Sequence, residues 1–254
     1  MATRDRLSPP PGVPIPSVDD SPGMKVLPFV LGVIAGSVDV IGFLGLDGLF
    51  TAHVTGNIAI LAAHVVAGRD ASLALTLSVP VFVAALVLTR LLAAGLERAG
   101  IATLGPLLLL QLALLCAFLA VCSAAGPGLD PTAPTMVVAG MLGVCAMAVQ
   151  NALARIGLTG APSTAVLTTN ITLVTMDLGE MLLGKDADRA AKSRERGRRT
   201  WPAIAGFLFG CVLGAACEAA LGLRSLMLPT GFALVALMLA VARGRSAAHA
   251  IPEN

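Results

Sequence analysis

The sequence predicts an all-α, polytopic membrane protein of about eight hydrophobic segments in two related halves of four, six to eight of them crossing the bilayer. Three observations carry that prediction: composition, the spacing of apolar runs, and a weak internal repeat. Of 254 residues, 56% are hydrophobic and 13% charged. The mean hydropathy is +0.87, far from the balance of a soluble domain. Aromatics make up 4% and tyrosine is absent, so the apolar mass is Leu, Ala, Val and Gly, which suits close helix packing in lipid. A formal charge of +2, with the basic residues gathered in one segment, gives no basic and aromatic surface for nucleic acid.

A helical span needs roughly twenty apolar residues, and candidates run near 25–45, 48–68, 73–96, 104–125, 134–155, 162–184, 201–221 and 225–242. Gly, Pro or charged breaks such as "AGRDAS", "LERAG" and "GPGLDPTAPT" separate them. Residues 1–23 are proline-rich and polar, which predicts a disordered tail with no apolar signal region. Residues 24–243 form one membrane domain, and 244–254 a second tail. The stretch 185–200 reads as a basic loop holding Lys185, Arg189, Lys192, Arg194, Arg196, Arg198 and Arg199, which the positive-inside rule assigns to the cytoplasm along with both termini. Trp201 fits an interfacial anchor and Pro202 a first helical turn. Cys116, Cys122, Cys145, Cys211 and Cys217 lie in apolar segments without a C-x-x-C pair, so they read as small buried packing residues, and neither metal nor cofactor is expected.

"AHVTGNIAIL" (52–61) matches "AVLTTNITLV" (165–174), which sets Thr55-Gly56-Asn57 over Thr168-Thr169-Asn170 and His64 over Asp177. The third and seventh segments match around Pro80 and Pro202. Four elements in the same order predict a duplication, with repeats at about 24–125 and 134–243. If every segment crosses, the halves are parallel. If the Thr-Gly-Asn segments are broken or re-entrant, each half crosses three times and the second is inverted, an arrangement that recurs in transporters.

Asp39 lies deep in the first apolar segment, where a carboxylate must be neutralised, paired or watered. Gly32, Gly36 and Gly42 beside it form a small-residue face for another helix. In the second segment His53, Thr55, Gly56 and Asn57 read as an irregular turn at membrane depth whose side chains satisfy freed backbone groups, with His53 placed to form a proton relay with Asp39. Gln150 and Asn151 occupy roughly the repeat position of Asp39 and, with Thr168 and Asn170, complete a paired central site for substrate or protons. The bland reading of the Thr, Asn and His residues is plain interhelical hydrogen bonding, and that of Asp39 a carboxylate that snorkels near a helix end or serves as a structural pair. Asp177 and Glu180 read as interface charges, and Arg90 and Glu218 as snorkelling residues near segment ends. Gly206, Gly210 and Gly214 form a stripe that packs either within the fold or as a homo-oligomer seam.

The stretches "GSVDVIGFLGLDGLFTAHVTGNIAIL", "AVQNALARIG" and "TAVLTTNIT" resemble the YoaK-like family of small bacterial integral membrane proteins, a domain-of-unknown-function family. The resemblance implies a bacterial inner-membrane protein with about six crossings and no established activity. Two function classes follow from the residues. One is a secondary transporter or permease for a small solute. The other is a non-transporting accessory or lipid-binding protein whose partner is the bilayer. A membrane hydrolase would have to use His53, Asp39 and Thr55, and no H-E-x-x-H, G-x-S-x-G or Walker loop supports catalysis or ATP drive.

Overall fold

The computed structural model describes residues 22–70, 72–126, 130–156, 167–183 and 187–249. Most of the first tail, the start of the sixth segment, Lys185 and residues 250–254 lie outside them. Among the described residues, eight α-helices occupy the eight apolar segments in order: α1 (Pro22–Gly45), α2 (Val54–Val66), α3 (Leu73–Arg98), α4 (Leu104–Ala125), α5 (Pro134–Ile156), α6 (Leu167–Leu183), α7 (Ala187–Leu221) and α8 (Met227–His249). A 3-10 turn, Gly222–Leu226, joins the last two. Among the described residues, five helical stretches are long and apolar enough to cross a membrane, and one of these, Ser193–Arg243, runs through both α7 and α8. The 13 residues of α2 reach only about 20 Å, short of a hydrocarbon core of about 30 Å. With 17 residues, α6 reaches about 25 Å.

The basic stretch expected as a loop is helical over the described residues 187–200, where it forms the first turns of α7. Its polar, basic composition carries helix as readily as loop, and an apolar-run criterion misses it. The 35 residues of α7 reach about 52 Å, so its basic end extends past the apolar part. Pro202 therefore stands inside α7 instead of in its first turn. Trp201 is exposed, as an interfacial anchor requires.

Helices α1 and α5 form the centre, with 72% and 78% of their apolar windows buried against 11% for α3. α1 packs on α7 and α8, and α5 on α3 and α4; α2 rests on α3, α6 on α7, and α4 meets α8. Leu27, Leu31, Ile34, Val38 and Ile41 recur at helical spacing along α1 and are fully buried.

The seam between α1 and α7 depends on glycine. A Cβ on Gly206 would overlap the carbonyl oxygen of Phe29, one on Gly210 would lie 2.9 Å from Val33 Cα, and one on Gly214 2.8 Å from Ser37 Cα. From the other side, a Cβ on Gly32 would lie 2.9 Å from Phe207 N and one on Gly36 3.0 Å from Cys211 N. Backbone thus meets backbone, the approach that small residues permit in membrane helices. The glycine stripe of α7 packs on α1 of the same chain, the within-fold alternative of the two that its spacing allows.

The cysteines are unpaired, and Cys116 is exposed, contrary to the expectation that all five are buried. Its position on α4 points away from the neighbouring helices.

Candidate functional site

The helix break lies between α1 and α2. Gly48 N–H closes on Phe43 O at 3.0 Å while Asp47 takes a φ of 53° and Gly48 one of 80°, which terminates α1 in a left-handed cap. Residues 49–53 then run in non-helical form. Leu49, Thr51 and Ala52 are buried. Glycines make room for them: a Cβ on Gly42 of α1 would lie 2.9 Å from Leu49 O, and one on Gly140 or Gly143 of α5 would lie 2.6 Å from Leu49 Cδ2 or 3.1 Å from Thr51 Cγ2. Irregular backbone at membrane depth is tolerated where protein buries it and its polar groups find partners.

Asp39 supplies those partners. Its Oδ1 accepts from Thr51 N–H at 2.8 Å, Ala52 N–H at 2.6 Å and the Thr51 hydroxyl at 3.2 Å, and its Oδ2 pairs with His53 Nδ1. The carboxylate is 2% exposed whereas the imidazole is 30% exposed. The His53 ring stands edge-on to Phe207 of α7, with centroids 5.2 Å apart and planes at 72°. Nδ1 carries the ring's one hydrogen bond among the described residues, which leaves Nε2 as the free proton site.

Asn57 clamps the same segment from α2. Phe50 N–H donates to Asn57 Oδ1 at 2.9 Å, and Asn57 Nδ2 donates to Phe50 O at 2.7 Å. A carboxamide carries both the acceptor and the donor this requires. The expected turn at Thr55-Gly56-Asn57 is corrected here: these residues form the first turn of α2, and the irregular backbone precedes them. The glycine at 56 answers to packing, because a Cβ there would lie 3.0 Å from the Phe50 ring, which itself stacks on Phe43. Thr55 is exposed, away from Asp39. Replacing Asn57 by Asp removes the donor to Phe50 O and sets a carboxylate oxygen against it. The expected loss is about 3 kcal/mol, read as a lowered melting temperature of the detergent-solubilised chain; an unshifted melt would sink the clamp.

A second polar layer lies elsewhere on α1. Gln111 Nε2 of α4 donates to Gln150 Oε1 at 2.6 Å, and Gln150 Nε2 donates to Leu31 O at 2.9 Å. Leu31 precedes Asp39 by two turns, about 12 Å along the helix, so Gln150 is not opposite Asp39. Gln111, fully buried, escaped the sequence reading although a lone amide in "LLLLQLALLC" is its signal. Its Oε1, Asn151 Oδ1 and His64 Nδ1 are buried without a hydrogen-bond partner among the described residues. In the second half Asn170 and Asp177 are buried while Thr168 is exposed. Glu180 accepts from the Ser193 hydroxyl at 3.1 Å, and Arg90 reaches the Glu97 carboxylate at 3.4 Å on the exposed face of α3. Among the described residues no group of three His, Cys, Asp or Glu could hold a metal.

A helical bundle with several membrane-length apolar helices, a buried carboxylate and non-helical backbone packed at its centre defines a multi-pass membrane protein. The chain belongs to the DUF1275 family, described as proteins of unknown function, whose family model matches residues 27–239. Comparison with curated proteins and with solved structures finds no match.

Proposed function

We propose that the protein is a secondary transporter or permease for a small solute, in a bacterial inner membrane with both termini cytoplasmic, and that Asp39 and His53 exchange the coupling proton. The observation that carries this reading is the carboxylate–imidazole pair at the end of non-helical backbone wedged between α1 of one half and α5 of the other. Asn57 holds that backbone, and Gln111 and Gln150 give a second polar layer for solute groups. Thr168 and Asn170 are the proposed counterparts in the second half.

Inverted halves are part of the proposal. Packing order supports two related halves, whichever way they run: exchanging α1–α4 with α5–α8 turns each described helix contact into another, since α1 on α7 matches α5 on α3, and α1 on α8 matches α5 on α4. Support for inversion comes from one cavity whose wall joins the ends of α1, α4 and α7 to the start of α5, through Gly45, Ser123, Glu218 and Met136. Residues 99–103 connect α3 to α4 within five positions, so α3 ends on the far side from that cavity and begins on the cavity side. α2 then leaves and returns to one side, and each half crosses three times. Arg98, Arg155 and the basic end of α7 share the cytoplasmic side, as the positive-inside rule favours.

A single cysteine at Asp70 in a cysteine-free variant tests this arrangement. Labelling is expected from the side opposite to a reference cysteine at Arg198; labelling from the same side would require parallel halves and sink the proposal's architecture.

The accessory reading has its own support: every hydrogen bond of Asp39 and Asn57 given above goes to the chain's own residues 50–53. Substitution at Asp39 separates the two readings.

A further inference from the structure

A cavity of about 270 Å³ opens where α1, α4 and α7 end, away from the Asp39 cluster. At ~30 Å³ per water in the liquid it holds about nine waters' worth of a small solute. Glu218 of α7 is its chemical centre. Glu218 Oε2 accepts the Ser225 hydroxyl at 2.5 Å. Oε1 lies by Gly45, where a Cβ would come within 3.0 Å of it, and has no hydrogen-bond partner among the described residues. No cation stands within ion-pair distance of Glu218 among the described residues; Arg224 is on the same cavity wall but exposed. Three helix C-termini converge here, at Gly45, at Gly126 after α4, and at Leu221. Each brings the negative end of its dipole, against the N-terminal turn of α5 that contributes Met136 and the start of the 3-10 turn that contributes Gly222, Leu223 and Arg224.

We propose that this cavity binds a small primary-amine cation, with its ammonium on Glu218 Oε1. Three ammonium protons suit one carboxylate oxygen and helix-end carbonyls. Arg224 at the wall adds a site for a carboxylate on the same solute, so a short amino acid binds more tightly than a plain amine. The inference concerns binding alone and stands or falls apart from transport.

The test is isothermal titration of the purified full chain in nanodiscs with ethylammonium, β-alanine and acetate. Saturable binding of ethylammonium and tighter binding of β-alanine are expected, with none for acetate. Glu218→Gln, which keeps an acceptor for Ser225, is expected to weaken both at least tenfold. Arg224→Gln, at an exposed position, is expected to weaken β-alanine towards the level of ethylammonium, without the loss of ethylammonium binding that Glu218→Gln causes. Absence of saturable ethylammonium binding to the parent chain overturns the proposal, as does equal binding by a folded Glu218→Gln variant or a preference for acetate. Should Glu218→Gln not fold, unequal loss of the two ligands in Arg224→Gln decides: equal loss overturns it.

Discussion

Gly210→Ala is expected to cost the protein its folded state, while Gly95→Ala leaves it intact or slightly more stable. The two glycines sit in comparable apolar helices, α7 and α3. Helix propensity alone favours Ala over Gly by about 0.5–1 kcal/mol at both. Surroundings reverse the sign at one of them. A Cβ on Gly210 meets the carbonyl oxygen of Val33 and lies 2.9 Å from its Cα, whereas at Gly95 nothing stands within 4 Å.

Overpacking a core usually costs about 1–3 kcal/mol because side chains shift to absorb it. Across this seam the obstacle is backbone, and α1 cannot retreat without also opening its contacts at Gly206 and Gly214. The expected loss is roughly 4 kcal/mol, a large share of a typical folding stability. Size-exclusion profiles and melting of the detergent-solubilised chain check it: Gly210→Ala should aggregate or melt well below the parent, and Gly95→Ala should not. Equal melting of Gly210→Ala and parent would mean that the seam is looser than its distances.

The helix order was readable in the sequence because apolar runs in lipid are interrupted only by Gly, Pro and charge, and those breaks fall where the helices end. Asp39 was readable too, since a carboxylate in such a run has few uses. The break itself lies a few residues before the stretch whose composition suggests it. Thr55-Gly56-Asn57 has the composition of a turn, yet it begins a helix, because Asn57 reaches back to residue 50 and Gly56 yields space to Phe50. Such contacts span seven residues, beyond what local propensity records. Repeat position sets Gln150 against Asp39, but depth along α1 is set by the approach of α5, which no spacing within one segment reveals. The partner of the α7 glycine stripe was open for the same reason: small-residue spacing marks a seam and leaves its other side unspecified.

Asp39→Ala and Asp39→Asn are expected to part company, and their difference separates transport from support. Alanine leaves Thr51 N–H, Ala52 N–H, the Thr51 hydroxyl and His53 Nδ1 without their acceptor. Buried donors abandoned in this way cost about 1–3 kcal/mol each, and in apolar surroundings no water replaces the carboxylate. Their sum, roughly 5 kcal/mol, removes most of a typical folding stability, so no monodisperse chain is expected from this variant. Asparagine keeps one oxygen for the two backbone amides. Its Nδ2 takes the place of Oδ2 and donates to His53 Nδ1 once the imidazole proton moves to Nε2.

The Asn variant is therefore expected to fold with a loss of about 1–2 kcal/mol, but without the carboxylate that exchanges a proton with His53. Proteoliposomes holding a pH-reporting dye, tested with small amines, amino acids and monocarboxylates, provide the readout. A solute-driven internal pH change that Asp39→Asn abolishes, in a variant that melts close to the parent, assigns the pair to coupling. The same pH change in variant and parent removes Asp39 from coupling. A parent chain that moves no proton with any solute class, beside an Asp39→Ala chain that fails to fold, leaves the carboxylate as a strut for broken backbone and selects the accessory reading.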